Sequence, residues 1–267
     1  AHAVNVADRI AVNFLDGDVV RADVVAMATE ADIALIALAS VPEDLAVAKL
    51  GDSDGVQVGD QVLVIGAPYG IDHTLSVGHI SGRRQSQTLC RQLTPFEFLQ
   101  TDAAINVGNS GGPMFDTEGR VIGIVSRILS KSGGSMGLGF AVSVNTARQL
   151  LMEQKSFWIG LNVYILSGPL AEAFNLPQDA GLVVQRVAEN SPGARMGLRG
   201  GSIPVQAGDE NFLIGGDIIL EIQGFEVTPR VGDVCTIQDM VGGFTAETAI
   251  DITVLRNGRK MTLTHRP

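Results

Sequence analysis

Cysteine, histidine and aromatic side chains are scarce in this chain, and each scarcity excludes something. Of 267 residues, two are cysteine and four are histidine, and aromatics make up 5%. Cys90 and Cys235 lie far apart in the sequence and have no metal-ligand spacing, so zinc is not indicated and a structural disulfide is not expected. Positive charge is also short. Nineteen Lys and Arg against 29 Asp and Glu give a net charge of −10, and no basic block appears, which disfavours a nucleic-acid partner. No apolar run approaches the roughly 18 residues needed to span a bilayer. No leader-type segment opens the chain, so any leader lies upstream of Ala1.

Glycine is plentiful, at 32 residues, and 45% of the chain is hydrophobic. The apolar residues come in short, β-branched, alternating stretches: 9–15, 19–28, 32–38, 61–68 and 120–125. Turn signals such as Asp16-Gly17, Gly59-Asp60 and Glu118-Gly119 separate them. That texture predicts an antiparallel barrel or sandwich. A helical pattern over 144–157 closes this half, and His73 and His79 flank a segment with the look of a hairpin. From about residue 157 the pattern shifts to an α+β unit. Strands are expected at 157–166, 180–187 and 215–224, with helices at 169–174 and 232–241. A terminal hairpin should turn at Asn257-Gly258. The reading is mainly β with two domains, 1–154 and 155–267.

Two stretches match G-x-S-x-G, GDSDG (51–55) and GNSGG (108–112). A nucleophile elbow needs a strand before the serine and a helix after it, and neither stretch has the helix. Ser53 reads as a turn residue. Ser110 differs because glycines at 108, 111 and 112 let successive N–H groups share one side of the chain, as an oxyanion site requires. A serine nucleophile needs a histidine base oriented by a carboxylate. His265, His73 and His79 read as surface or structural side chains. His2 is followed, thirty positions on, by Asp32 at the head of an apolar strand.

AHAV around His2, EADIALIAL around Asp32, QTDAAINVGNSGGPMFDTEGRVIGIV around Ser110 and GLGFAV (137–142) together resemble the HtrA/Deg family. These are trypsin-fold serine proteases carrying PDZ domains. The order His2, Asp32, Ser110 is that of the chymotrypsin-type triad. The resemblance implies a double β-barrel followed by a PDZ domain. It makes Ser110 the nucleophile, His2 the general base and Asp32 the orienting carboxylate. Amides of Gly108 and Ser110 would form the oxyanion hole. Ala104, Ile105, Ser126, Ile128, Leu138 and Phe140 would line a specificity pocket suited to small or medium aliphatic residues.

The resemblance extends to the second half. FWIGL (157–161) resembles a PDZ carboxylate-binding loop, and GGDIILEIQG (215–224) matches a strand of bacterial PDZ domains. Ile159, Gly160, Leu161 and Val163 would then hold a C-terminal peptide against Val234, Ile237, Gln238 and Val241. The implied function is ATP-independent endopeptidase action on unfolded or damaged proteins in the periplasm or cell envelope. The implied assembly is a homotrimer, and no cofactor is called for. The alternative reading is a non-catalytic peptide-binding or chaperone module, because only Ala1 precedes His2 and the first barrel's opening strands fall outside this chain. By the same resemblance the loop 82–98 would be regulatory, with Arg83, Arg84 and Arg91 as sensors; the alternative is a solvated charged loop. The insertion 200–216 lengthens a PDZ turn and has no assigned role.

Overall fold

The computed structural model describes every residue except 72, 86–95, 129–133, 155, 209, 246 and 267. The chain divides into two compact units. The first holds the described residues of Ala1–Ala3, Ala11–Thr88 and Thr94–Lys155, and the second those of Val4–Ile10 and Ser156–Pro267.

The first unit opens with a three-stranded sheet of β1 (Ile10–Asn13), β2 (Val19–Ala28) and β3 (Ile33–Leu38), in that spatial order. The next seven strands are β4 (Lys49–Leu50), β5 (Gln61–Gly66), β6 (Thr74–Gln85), β7 (Glu97–Thr101), β8 (Pro113–Phe115), β9 (Arg120–Ile128) and β10 (Gly139–Ser143). They run β10-β7-β6-β5-β8-β9-β4, and β10 also pairs with β9. Six strands therefore close into a barrel, with β4 added outside, parallel to β9. Closure removes the exposed edges of an open sheet. Alternation drives it: on β5, Val62 and Val64 are fully buried while Gln61 and Ile65 are exposed. They meet Ile80, Leu99, Met114 and Ile122 in the barrel core.

Two sequence expectations change here. The segment flanked by His73 and His79 is no hairpin. Thr74–Gln85 is one long strand, paired with β5 on one side and β7 on the other, so it is the return limb of a β5–β6 hairpin. The helix predicted over 144–157 begins on schedule as α1 (Val144–Ala147), where the Ser143 hydroxyl accepts from the Thr146 amide. It then widens over Arg148–Glu153, with Gln154 N–H donating to Gln149 C=O, and the adjacent Leu150 and Leu151 both become buried.

The second unit contains β11 (Leu161–Ser167), α2 (Pro169–Ala173), β12 (Ala180–Val187) and α3 (Pro192–Arg195). A hairpin follows, β13 (Ile203–Ala207) and β14 (Glu210–Ile214). Then come β15 (Ile218–Ile222), β16 (Phe225–Glu226), α4 (Val231–Gly242), β17 (Ile250–Arg256) and β18 (Arg259–His265). The main sheet runs β11-β12-β15-β17-β18, so β11 is an edge strand. One core joins Val184, Ile219, Ile250, Ile252 and Val254 to Leu161 and to Ile237, Met240 and Val241 of α4. The β13–β14 hairpin is the unassigned insertion. Its Phe212 stacks flat on Tyr164 of β11, with ring centroids 4.7 Å apart. Contrary to the sequence expectation, Cys235 is in a disulfide. Cys90 lies outside the described residues.

The second unit also carries a buried ion pair. Asp217 is fully buried, and both its carboxylate oxygens accept from Arg256, each at 2.6 Å. Removing one member of such a pair strands the other charge at a cost of about 3–5 kcal/mol. Asp217→Ala should lower the unfolding free energy of this unit by about that amount. The check is urea unfolding followed by emission of Trp158, the chain's single tryptophan.

Candidate active site

A turn carries the chain from β2 into β3, and Asp32 sits in it with φ of 58°. Asp is one of the few non-glycine residues that take this left-handed conformation at small cost. The carboxylate becomes the centre of a cluster. His2 N–H donates to Asp32 Oδ1 at 2.8 Å, and the His2 ring meets both oxygens through Nδ1, at 2.9 and 2.8 Å. The Ser126 hydroxyl donates to Oδ2 at 2.7 Å. The Ala1 ammonium lies 3.0 Å from Oδ1 and donates to the Asp32 carbonyl. Partial burial pushes the Asp32 carboxyl up. The His2 amide, the Ser126 hydroxyl, the Ala1 ammonium and the His2 ring together outweigh it and hold the group well below the usual carboxylate range. An ionised Asp32 bonded to Nδ1–H leaves Nε2 as the ring's acceptor, the tautomer a general base needs.

Ser110 sits in the turn between Ala103 and β8. Gly108 has φ of 105°, and a side chain there would run into the Ala67 carbonyl, so glycine is required. Asn109 is 2% exposed, beneath the serine. The Ser110 hydroxyl donates to the Ser126 carbonyl at 3.1 Å. Ser126 thus contacts two of the three candidate residues, its hydroxyl on Asp32 and its carbonyl on Ser110. Among the described residues, no hydrogen bond joins Ser110 to His2 and none accepts from the N–H of Gly108 or Ser110. Open amides beside a serine hydroxyl are the donor set that a developing oxyanion requires. Catalytic hydrogen bonds often tighten only with substrate in place.

The residues proposed for the specificity pocket fall on the turn before Ser110 and on the paired strands β9 and β10, with Leu138 just ahead of β10. Ile105 is 2% exposed and part of the barrel core, and Ile128 packs on that core. Phe140 stacks edge-on to Phe98, with centroids 6.3 Å apart. Ser126 turns its hydroxyl to Asp32, leaving Ala104 and Leu138 exposed to solvent. Sequence reasoning missed the Ser126 contact. Its signal was a hydroxyl inside an apolar strand, where a buried polar group needs a partner. Arg83 is not free to sense anything. Its guanidinium clamps Glu97 at 2.8 Å through two nitrogens and also donates to the carbonyls of Asp54 and Val56. Arg84 reaches Gln100 at 3.3 Å, and Arg91 lies outside the described residues.

In the second unit, Gly160 has φ of 79° and packs against Ser191 so closely that no side chain fits. The N–H groups of Ile159 and Gly160 have no acceptor among the described residues. Leu161 C=O accepts one long bond, at 3.4 Å, from the Asn5 carboxamide. Val163 and Ile165 are 39% and 42% exposed along the same edge strand. Ile237 and Val241 of α4 pack on the core beside Ile159 and Leu161. Val234 and Gln238 are half-buried on that helix.

A closed six-stranded barrel of this kind is consistent with a trypsin-like fold. The model of the trypsin-like peptidase domain matches residues 1–124. The chain is 36% identical to the HtrA-type protease AlgW, solved with a decapeptide, covering 97% of this chain and 75% of that one with a TM-score of 0.50. The same protease with a tripeptide gives 36% identity, coverage of 97% and 80%, and a TM-score of 0.51. A periplasmic serine endoprotease, DegP-like, of Pseudomonas putida (strain GB-1) is 35% identical over 98% of this chain and 51% of its own length. A DegP-like protein of Halomonas elongata is 33% identical over 99% and 52%. The chain belongs to the HtrA/Deg family of serine proteases. It spans about half the length of the curated relatives it matches.

The depressed Asp32 carboxyl carries a pH signature. Its bonds stabilise the fold above the unfolded value of about 3.9, and that contribution is lost as pH falls below it. The melting-temperature difference between wild type and Asp32→Asn should be constant above about pH 5 and shrink as pH drops through 4. A difference that grows on acidification contradicts this.

Proposed function

We propose that the protein is an ATP-independent serine endopeptidase acting on unfolded or damaged polypeptides, with Ser110 forming the acyl-enzyme. The single observation that carries this is the carboxylate of Asp32 bound to His2 Nδ1, with Ser110 on the adjoining turn. His2 Nε2 takes the Ser110 proton as the hydroxyl attacks the scissile carbonyl, and later returns it to the leaving amine. The amides of Gly108 and Ser110 receive the oxyanion. Asp32 stays ionised and stabilises the imidazolium, with the Ser126 hydroxyl fixing its second oxygen. The exposed Ala104 and Leu138 are the apolar contacts for the residue before the scissile bond.

The second unit is a PDZ-type peptide-binding domain in this reading. Open amides at Ile159 and Gly160 cap a terminal carboxylate, and the peptide pairs with the edge strand β11, replacing the long Asn5 bond to Leu161 C=O, a strand-addition mode. Support comes from the edge position of β11, from its exposed Val163 and Ile165, and from the peptides in the AlgW structures. The names of the DegP-like relatives support a periplasmic location. Assembly as a homotrimer through the protease units follows from the family.

The test is casein digestion by the full-length protein. Ser110→Ala should lower turnover by on the order of 10⁴–10⁶ without changing peptide affinity of the second unit. Undiminished cleavage by Ser110→Ala overturns the mechanism. Capture of unfolded protein with no cleavage by the wild type favours a binding module.

A further inference from the structure

The unassigned insertion builds a cavity on the face of β11 opposite the proposed groove. Gln185 of β12, 8% exposed, uses its carboxamide oxygen to accept from Leu213 N–H and its nitrogen to donate to Leu213 C=O at 3.0 Å. With the Tyr164–Phe212 stack, this fixes the hairpin against the sheet. The fixed hairpin leaves a cavity of about 400 Å³, a size that suits one side chain or a small ligand. Two directly opposed cross-strand pairs contribute to its wall, Asn162 with Arg186 and Gln206 with Asn211. Among the described residues, the Arg186 guanidinium and the carboxamides of Asn162 and Asn211 have no side-chain partner. In a chain of charge −10, this solvent-facing guanidinium, flanked by carboxamides, is a cation that a carboxylate can bind in bidentate fashion.

We infer that this cavity reads an acidic side chain at the penultimate position of a C-terminal peptide. The inference rests on the peptide reading of β11 given above. A strand added beside β11 with its carboxylate at Ile159 and Gly160 places its last side chain beside Leu161, on the α4 side. Side chains alternate along a strand, so the penultimate one lies beside Asn162, on the hairpin side. Arg186 follows Asn162 in register on β12, about 10 Å from the peptide backbone across two strand spacings. Glu and Arg side chains together span that gap, and the guanidinium binds the carboxylate while Asn162 supplies a neighbouring amide.

Fluorescence anisotropy with the full-length protein tests this. The probes are labelled octapeptides ending in a free-acid valine, identical except for Glu, Gln or Lys at the penultimate position. The Glu peptide should bind about tenfold more tightly than the Gln peptide, and the Lys peptide more weakly still. Arg186→Gln should erase the Glu preference and leave the Gln peptide's Kd unchanged. Arg186 is exposed, so the substitution leaves the core intact. Equal binding of the Glu and Gln peptides, or a preference that survives in Arg186→Gln, overturns the inference while the groove reading stands. Failure of every peptide to bind, or equal binding of C-terminally amidated forms, overturns the groove reading and the inference with it.

Discussion

The site depends on how the Asp32 carboxylate is held. A partly buried charge keeps its ionised form when hydrogen bonds replace the water it loses. Here the His2 amide, the His2 ring and the Ser126 hydroxyl fill them. The same bonds set the tautomer of His2 and bind the first sheet's turn to β9 of the barrel. Ser126 extends the cluster, because its carbonyl receives the Ser110 hydroxyl. The Ser110 side chain is therefore tied to the barrel wall, and the His2 ring to the carboxylate.

Barrel closure supplies the rigidity this arrangement needs. β9 belongs to a closed ring in which β10 completes the circuit, so Ser126 cannot shift without straining its neighbours. The turn bearing Ser110 is pinned by close approach: Gly111 N–H donates to Val125 C=O at 2.7 Å, and Gly112 N–H to Asn109 C=O at 2.9 Å. In the second unit the same logic is used differently. β11 lies at the edge of its sheet, with one long bond from Asn5 on Leu161 C=O, while its hairpin-side face is fixed by the Tyr164–Phe212 stack and the Gln185 clamp. One side of the strand is the sheet edge, and the other is braced.

Much of this was legible in the sequence, for identifiable reasons. Strands such as Gln61–Gly66 alternate strictly, and turns marked by Asp-Gly or Asn-Gly announce themselves. The pairing of His2 with Asp32 could be anticipated because a serine nucleophile's base needs a carboxylate partner, and the structure brings those two side chains together. What escaped were features decided by tertiary contacts. The family resemblance makes Ile105 and Phe140 pocket residues, and only the fold shows that both also pack against the cores. Arg83 looks like a free sensor, and only the fold brings Glu97 alongside it. The β13–β14 hairpin was hidden because Pro204 and Gly208 interrupt its alternation, and the role of Ser126 because a serine has no periodicity of its own.

The central claim is that His2, ordered by Asp32, activates Ser110. The direct measurement is mass spectrometry of the full-length protein after treatment with a fluorophosphonate, comparing wild type with His2→Ala. The account predicts one adduct, on the peptide containing Ser110, at a rate that falls at least a hundredfold in a folded His2→Ala variant. An adduct on another serine, or labelling of Ser110 at an undiminished rate without His2, would contradict it.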